Sequence, residues 1–185
     1  MRVKYTKIDN PERVNYKINW QIPYDRFPLT IGKEYTVYAI EYTEDGRINF
    51  FIIDEGGNIY PHNYPSEFFI VTDNRMSKYW EGFTGKENYP IDTFFPNLIT
   101  FKEWKCNKFF EEEMMDNIGN ANTIFKKYQK LIENEFPNSE LQNAVPVGDN
   151  WAMCFNCDNS WEITNNNGII KCPKCNTKQN NPYYI

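Results

Sequence analysis

The sequence predicts an α+β fold, a small antiparallel β-barrel or bent sheet with helices packed on it, followed by a small cysteine-rich module. Three observations lead to this prediction. Between residues 29 and 80, short apolar runs alternate with tight-turn residues, which is typical of antiparallel strands. Residues 120–136 carry apolar side chains at helical spacing. Two Cys-x-x-Cys pairs lie after residue 150.

The clearest strand pattern covers residues 29–40. Tyr35, Val37 and Ala39 alternate there with more polar residues, which predicts one strand with one buried face. Asp45-Gly46 is a strong signal for the turn of a hairpin. The other predicted strands are short and are bounded by turn residues: 3–8, 48–53, 58–60 and 68–71.

Two helices are predicted after residue 100. Residues 101–115 form one, and residues 120–136 form the other, which Pro137 ends. The second prediction depends on one apolar stripe at helical spacing, made of Ile124, Phe125, Tyr128, Leu131 and Ile132.

The chain is expected to contain two folded parts. Its 185 residues suffice for one medium domain and a small appendage. We assign an α+β domain to residues 1–137, β-rich over 29–80 and helical over 101–136. Residues 137–150 contain two prolines, a glycine and several polar residues, and residues 138–150 are predicted to form a linker into the cysteine-rich part at 151–185.

Cys154, Cys157, Cys172 and Cys175 predict one structural zinc ion. Fourteen residues separate the two pairs, a suitable length for a hairpin that brings two Cys-x-x-Cys turns to one metal. Four thiolates close a tetrahedral zinc site and leave no position for a catalytic water. The segment resembles a zinc ribbon over about residues 151–178. Iron in a rubredoxin-like site, and free or disulfide-bonded cysteines, are the alternatives.

The charge balance disfavours nucleic acid and anionic membranes as partners. The formal net charge is −5, whereas phosphate contacts need lysine and arginine. An acidic chain is better suited to a basic partner. The ribbon has no basic stripe, because its lysines are balanced by nearby acidic residues: Lys171, Lys174 and Lys178 against Asp149, Asp158 and Glu162.

Cysteine usage and hydropathy indicate the cytoplasm. Four of the five cysteines are in metal-type pairs, which suits a reducing compartment. No apolar run follows the basic residues near the N-terminus, so no signal peptide is expected. No stretch approaches eighteen apolar residues, so no membrane span is expected.

Nothing in the sequence predicts catalysis. His62 lies in a predicted loop between Pro61 and Pro65, without a nucleophile motif around it. Cys106 is expected to be a buried, inert thiol. The densest acidic run is either a solvated helix face or a docking surface for a basic partner: Glu111, Glu112, Glu113 and Asp116.

Four segments together resemble immunity proteins of bacterial polymorphic toxin systems, including the contact-dependent inhibition type. They are LTIGKEYTVY at 29–38, YPSEFF at 64–69, DNRMSKYW at 73–80 and EFP at 135–137. The resemblance covers about residues 29–137, and the ribbon after residue 150 departs from the pattern. It implies a cytoplasmic protein that binds one toxin and blocks its active site. Many such toxins are nucleases with basic clefts, which an acidic inhibitor complements.

The resulting prediction is a non-catalytic protein-binding module, an immunity protein that binds and inhibits a bacterial toxin. Its expected cofactor is one structural Zn²⁺, and its expected partner is a protein such as a basic toxin domain. The alternative is a zinc-ribbon protein associated with nucleic acid or with a nucleic-acid-processing complex.

Overall fold

Short strands dominate the fold. A computed structural model describes residues 1–6, 27–82 and 97–184, in which the chain forms twelve strands and three α-helices. The helices are α1 (Lys102–Lys105), α2 (Phe110–Met115) and α3 (Ala121–Glu135). The strands are β1 (Arg2–Tyr5), β2 (Glu34–Thr36), β3 (Ala39–Tyr42), β4 (Ile48–Ile52), β5 (His62–Pro65), β6 (Phe69–Asp73), β7 (Leu98–Ile99), β8 (Val145–Pro146), β9 (Trp151–Met153), β10 (Ser160–Glu162), β11 (Ile169–Lys171) and β12 (Lys178–Asn180).

Two antiparallel sheets enclose the N-terminal core. One has the strand order β2-β1-β6 and the other the order β5-β4-β3-β7. Both contribute to one cluster of buried side chains, in which Val3, Val37 and Ile52 have no exposed surface. Each fully buried aliphatic side chain contributes about 1.5–3 kcal/mol to the free energy of folding.

The predicted α+β class is confirmed, and of the two predicted forms, a small barrel or a bent sheet, the barrel is wrong. Among the described strands the sheets are separate and open, and none closes on itself. The chain changes sheet between two consecutive residues. The backbone N–H of Val37 donates to Met1 in the first sheet, and that of Tyr38 donates to Phe51 in the second.

This change of sheet also corrects the single strand predicted over residues 29–40. The segment contains β2 and the start of β3 instead. Thr36 and Tyr38 are buried together with Tyr35, Val37 and Ala39, because packing against two sheets covers both faces of the chain there. One-sided alternation therefore does not apply to this stretch.

A second correction concerns β5. A strand was predicted at residues 58–60 and a loop between Pro61 and Pro65, but the strand is His62–Pro65, paired with β4. It lies at the edge of its sheet, where a proline without an N–H group is tolerated.

The helix predicted over residues 101–115 is divided into α1 and α2. Between them, the side-chain carbonyl of Asn107 accepts the backbone N–H of Phe109 at 3.0 Å, which competes with helical pairing. The prediction over 120–136 agrees with α3, whose Phe125 and Ile132 are fully buried. Within the described residues, no helix combines the length and apolar character needed to cross a membrane.

Aromatic rings form the contact between α1, α2 and the second sheet. Trp104 is fully buried and stacks on Phe110, with ring centroids 5.5 Å apart. It also meets Phe51 of β4 edge-on at 5.2 Å and Phe101 at 5.8 Å. Such ring pairs stabilise a fold by about 0.5–1.5 kcal/mol each beyond the burial of their surface.

The backbone divides into two compact units, Met1–Lys126 and Lys127–Ile185. The second unit contains the three-stranded sheet β10-β9-β8 and the two-stranded sheet β11-β12. One buried apolar cluster of this unit is small, with Ala144, Ala152 and Ile170 at its centre, and Ile132 and Phe136 are buried as well. Strand β8 lies within the segment predicted as a linker, and the predicted boundaries at 137 and 151 stay a prediction.

Candidate functional site

The first cysteine pair forms the turn between β9 and β10. The backbone N–H of Cys154 donates to the carbonyl of Asn159 at 2.9 Å, and the N–H of Asp158 donates to the carbonyl of Cys154 at 3.0 Å. Asp158 has a positive φ of 56°, a conformation that Asp tolerates better than most residues. This tight turn points the sulfurs of Cys154 and Cys157 to the same side.

The second pair repeats this geometry between β11 and β12. The N–H of Cys172 donates to the carbonyl of Thr177 at 3.0 Å, and the N–H of Asn176 donates to the carbonyl of Cys172 at 3.0 Å. Asn176 has a φ of 62°. Two hairpins therefore each present a pair of cysteine sulfurs. The single hairpin predicted between the two pairs is wrong, because β10 and β11, which would form it, lie in different sheets.

The four sulfurs meet with the spacing of a tetrahedral metal site. All four lie within 4.8 Å of one another. The Sγ atoms of Cys154 and Cys175 are 3.6 Å apart, and those of Cys157 and Cys172 are 3.7 Å apart. Metal–sulfur bonds of about 2.3 Å in a tetrahedron separate the sulfurs by about 3.8 Å, whereas a disulfide requires about 2.05 Å. The cysteines therefore lie close enough to hold one metal ion and are not disulfide-bonded.

Neighbouring polar groups favour thiolates at the cluster. The backbone N–H of Asn156 donates to the Cys154 sulfur at 3.4 Å. The Thr177 hydroxyl lies 3.1 Å from the Cys175 sulfur, and this contact and the Thr177 backbone lower the pKa of Cys175 to about 5. Thiolate is the form that binds a metal.

The pKa of Cys157 moves in the opposite direction. A backbone hydrogen bond from Asn159 lowers it, but burial and the three neighbouring sulfurs raise it to about 12. Because the pKa of Cys157 is raised, metal binding at this thiol is expected to release a proton.

The acidic run lies on and directly after α2. Glu112 and Asp116 are exposed, whereas Glu111 and Glu113 are half-buried. Three apolar side chains next to them in the chain are exposed as well: Phe109 by 50%, Met115 by 52% and Ile118 by 59%. We name residues 109–118 the α2 surface, a mixture of exposed apolar groups and carboxylates.

Glu111 faces inwards and lines a cavity of about 130 Å³. The other lining residues come from β4, from β5 and the loop before it, and from α2: Phe51, Tyr60, Pro61, His62, Asn63, Met114 and Met115. Burial raises the pKa of Glu111 to about 7. The indole of Trp104 opposes this rise, and the carboxylates of Glu41 and Glu112 add to it.

The wall of this cavity contains a polar network that the sequence did not predict. The Nδ1 atom of His62 lies 2.8 Å from the buried carboxylate of Asp54, which also accepts the Tyr64 hydroxyl at 2.6 Å. The sequence predicts a loop at residues 61–65, so it offers no strand register that would place His62 near Asp54. Cys106 caps the end of α1 and is a half-buried free thiol.

Comparison with known proteins adds no relative. No family model matches the chain, and neither the curated proteins nor the solved structures contain a match. The resemblance to immunity proteins therefore stays a prediction.

Proposed function

We propose that this protein is a cytoplasmic, non-catalytic inhibitor that binds one protein partner through the α2 surface, in the manner of a toxin immunity protein. One observation carries the proposal. Phe109, Met115 and Ile118 are each at least half exposed, and they lie beside the exposed carboxylates of Glu112 and Asp116.

Exposed apolar side chains next to carboxylates are typical of a protein interface. Aromatic and methionine side chains supply much of the binding energy at the centre of interfaces, and charges around them accelerate association and select the partner. The partner that complements this surface is basic, which agrees with the formal net charge of −5. A toxin domain with a basic active-site cleft has that chemistry.

We further propose that the metal at the four cysteines is zinc and that it is structural. Zinc accepts four thiolates in a closed tetrahedron, and its role there is to stabilise the fold. The C-terminal unit needs such support, because its central apolar residues include two alanines and one isoleucine.

The test is capture followed by reconstitution. The tagged, zinc-loaded chain is used to capture proteins from its native cell, in parallel with the variant Phe109→Ser/Met115→Ser. We expect a basic protein that the wild type retains and the variant loses. The matched control is Ile31→Ser, which removes an apolar side chain that is 62% exposed elsewhere. The captured partner, expressed alone, should arrest growth, and co-expression of this chain should restore it. Capture by the variant as well as the wild type would contradict the proposal.

A second candidate function is association with nucleic acid through the ribbon. Lys171 and Lys178 lie directly opposite each other on β11 and β12, and both are exposed. Like charges at paired positions are unfavourable unless an anion lies near them. Phe155, 40% exposed, adds a ring to the ribbon surface.

Oligonucleotide binding distinguishes the two candidates. For the inhibitor, we expect dissociation constants of about 10⁻⁴ M or weaker at physiological salt, the range of weak non-specific association. Fluorescence anisotropy with labelled single- and double-stranded DNA and RNA measures them. A salt-sensitive complex below micromolar, lost in Lys171→Gln/Lys178→Gln, would favour the ribbon instead.

A further inference from the structure

The cavity beside α2 combines one carboxylate with aromatic and thioether walls. Phe51 and Tyr60 supply rings, Met114 and Met115 supply flexible apolar side chains, and Glu111 supplies the acidic group. Met115 is itself part of the α2 surface and is half exposed, so the cavity opens to solvent beside that surface.

The size of the cavity limits its ligand to the end of one side chain. Its volume of about 130 Å³ is close to that of an engineered cavity of about 150 Å³ that holds one benzene molecule. A nucleotide or a sugar chain does not fit in that space. A guanidinium group with part of its aliphatic stem does.

The electrostatics of the cavity favour a cation. Within residues 1–6, 27–82 and 97–184, no lysine or arginine forms an ion pair with Glu111. Glu41 and Glu112 also lie close enough to act on this carboxylate, so three acidic groups contribute to the local potential. The other titratable groups in the cavity wall are His62 and Tyr60, and Asp54 lies behind His62.

We propose that this cavity binds the side chain of one arginine presented by the protein partner, an inference that rests on the proposed function and extends it. Arginine fits better than lysine for two reasons. Its planar guanidinium pairs with both oxygens of a carboxylate, and it stacks on aromatic rings such as that of Tyr60. The arginine thus acts as the anchor, while the α2 surface covers the area around it.

The test uses three small probes and no partner. They are N-acetyl-arginine methylamide, its lysine counterpart and its citrulline counterpart, a neutral analogue of similar shape. Each is titrated into the zinc-loaded full chain labelled with ¹³C at the methionine methyl groups, and NMR follows Met114 and Met115. We expect saturable shifts of both methyls with the arginine probe, and at least tenfold weaker binding of the citrulline probe.

Two variants test whether the carboxylate of Glu111 is the group that binds the arginine probe. Glu111→Gln keeps the shape of the side chain and should weaken binding of the arginine probe at least tenfold. Glu140→Gln is the control: this exposed residue neither lines the cavity nor belongs to the α2 surface, and its substitution should change binding less than twofold. Citrulline binding within twofold of arginine would overturn the proposal, and this comparison needs only the wild type, so it stands even if Glu111→Gln fails to fold. Equal binding of lysine would overturn the choice of arginine.

Failure of this titration is distinguishable from failure of the proposed function. If a partner is captured through Phe109 and Met115 but the cavity does not respond to the arginine probe, only the proposal that the cavity binds an arginine is refuted. A saturable response to arginine, with no partner captured, would refute only the inhibitor.

Discussion

The sulfur atoms of Cys154 and Cys175 lie 3.6 Å apart, although the two residues are 21 positions apart in the chain. They belong to different hairpins, so a metal ion bound between them would link the β9–β10 hairpin to the β11–β12 hairpin. The apolar cluster of these hairpins is small, and a metal is therefore expected to contribute much of their stability.

Replacing Cys157 by Ser should release the zinc and loosen the C-terminal unit. We expect one zinc per wild-type chain by metal analysis and less than a tenth of that in the variant, because a three-thiolate site binds far more weakly. Hydrogen exchange should accelerate over residues 151–184 and change little over β3 and β4, which have their own buried cluster.

Cys106→Ser is the matched control. It removes the one cysteine outside the cluster and should keep both the zinc content and the exchange pattern. If Cys157→Ser unfolds β3 and β4 as well, the two units do not fold independently. If the wild type contains neither zinc nor iron, the metal site is wrong.

The cysteine cluster could be predicted because each Cys-x-x-Cys turn depends only on residues that are neighbours in the chain. A Cys-x-x-Cys turn requires only that two residues stand three apart and that the following residue tolerates a positive φ, as Asp158 and Asn176 do. The hairpin at Asp45-Gly46 was predictable for the same reason, since Gly46 has a φ of 83° between β3 and β4.

Features that depend on distant contacts were missed. The segment around Val37 and Tyr38 reads as one strand, yet two different sheets accept its hydrogen bonds. Likewise, nothing near Glu111 in the sequence indicates that it faces β5 across a cavity. The sequence predicts one exposed surface for the acidic run 111–116, but Glu111 and Glu113 are partly buried because α2 packs through Phe110 and Met114.

Gly168 provides a test of packing in the C-terminal unit. A Cβ atom added there would lie 2.3 Å from the carbonyl carbon of Phe136 and 2.3 Å from the nitrogen of Pro137, both of which are backbone atoms. Gly168→Ala should therefore destabilise this unit by about 2 kcal/mol or more. Gly82→Ala is the control, because a Cβ there meets no atom of the described residues within 4 Å and its φ is not positive. Denaturant unfolding measures the stability of both variants. An unchanged unfolding midpoint for Gly168→Ala would show that Gly168 is not in close contact with the backbone of residues 136–137.

Glu111 should make stability depend on pH. Burial raises its pKa to about 7, above the value of about 4.3 in an unfolded chain, so the folded state binds more protons between these values. Its contribution is fully favourable below pH 4 and is lost as pH rises to about 7 and above. Glu111→Gln, which carries no charge, should therefore be more stable than the wild type at pH 8, by roughly 1–3 kcal/mol, and similar to it at pH 4.

Thermal or denaturant unfolding at the two pH values measures this difference. Glu140→Gln is the control, because its side chain is exposed, it is not among the groups that shift the pKa of Glu111, and its removal should change stability by less than about 0.5 kcal/mol at both values. A gain for Glu111→Gln at pH 4 as large as that at pH 8 would assign the effect to packing instead of charge.

The exposed carboxylates of the α2 surface should govern how fast the partner binds. Because Glu111 and Glu113 are half-buried, the informative variant reverses only the exposed pair, Glu112→Lys/Asp116→Lys. Once a basic partner is identified, we expect this variant to associate at least fivefold more slowly at low salt and to dissociate at nearly the same rate, since complementary charge acts mainly on the encounter.

Glu140→Lys/Asp149→Lys is the control, because both residues are exposed and lie outside the α2 surface. Each substitution adds two charges, so both double variants shift the formal net charge from −5 to −1, and only the location differs. Stopped-flow association at two salt concentrations separates the variants. Since the Debye length falls from about 30 Å at 0.01 M salt to about 10 Å at 0.1 M, added salt should remove most of the difference. Equal slowing by both double variants would mean that overall charge steers the partner and that the α2 surface has no special part in binding.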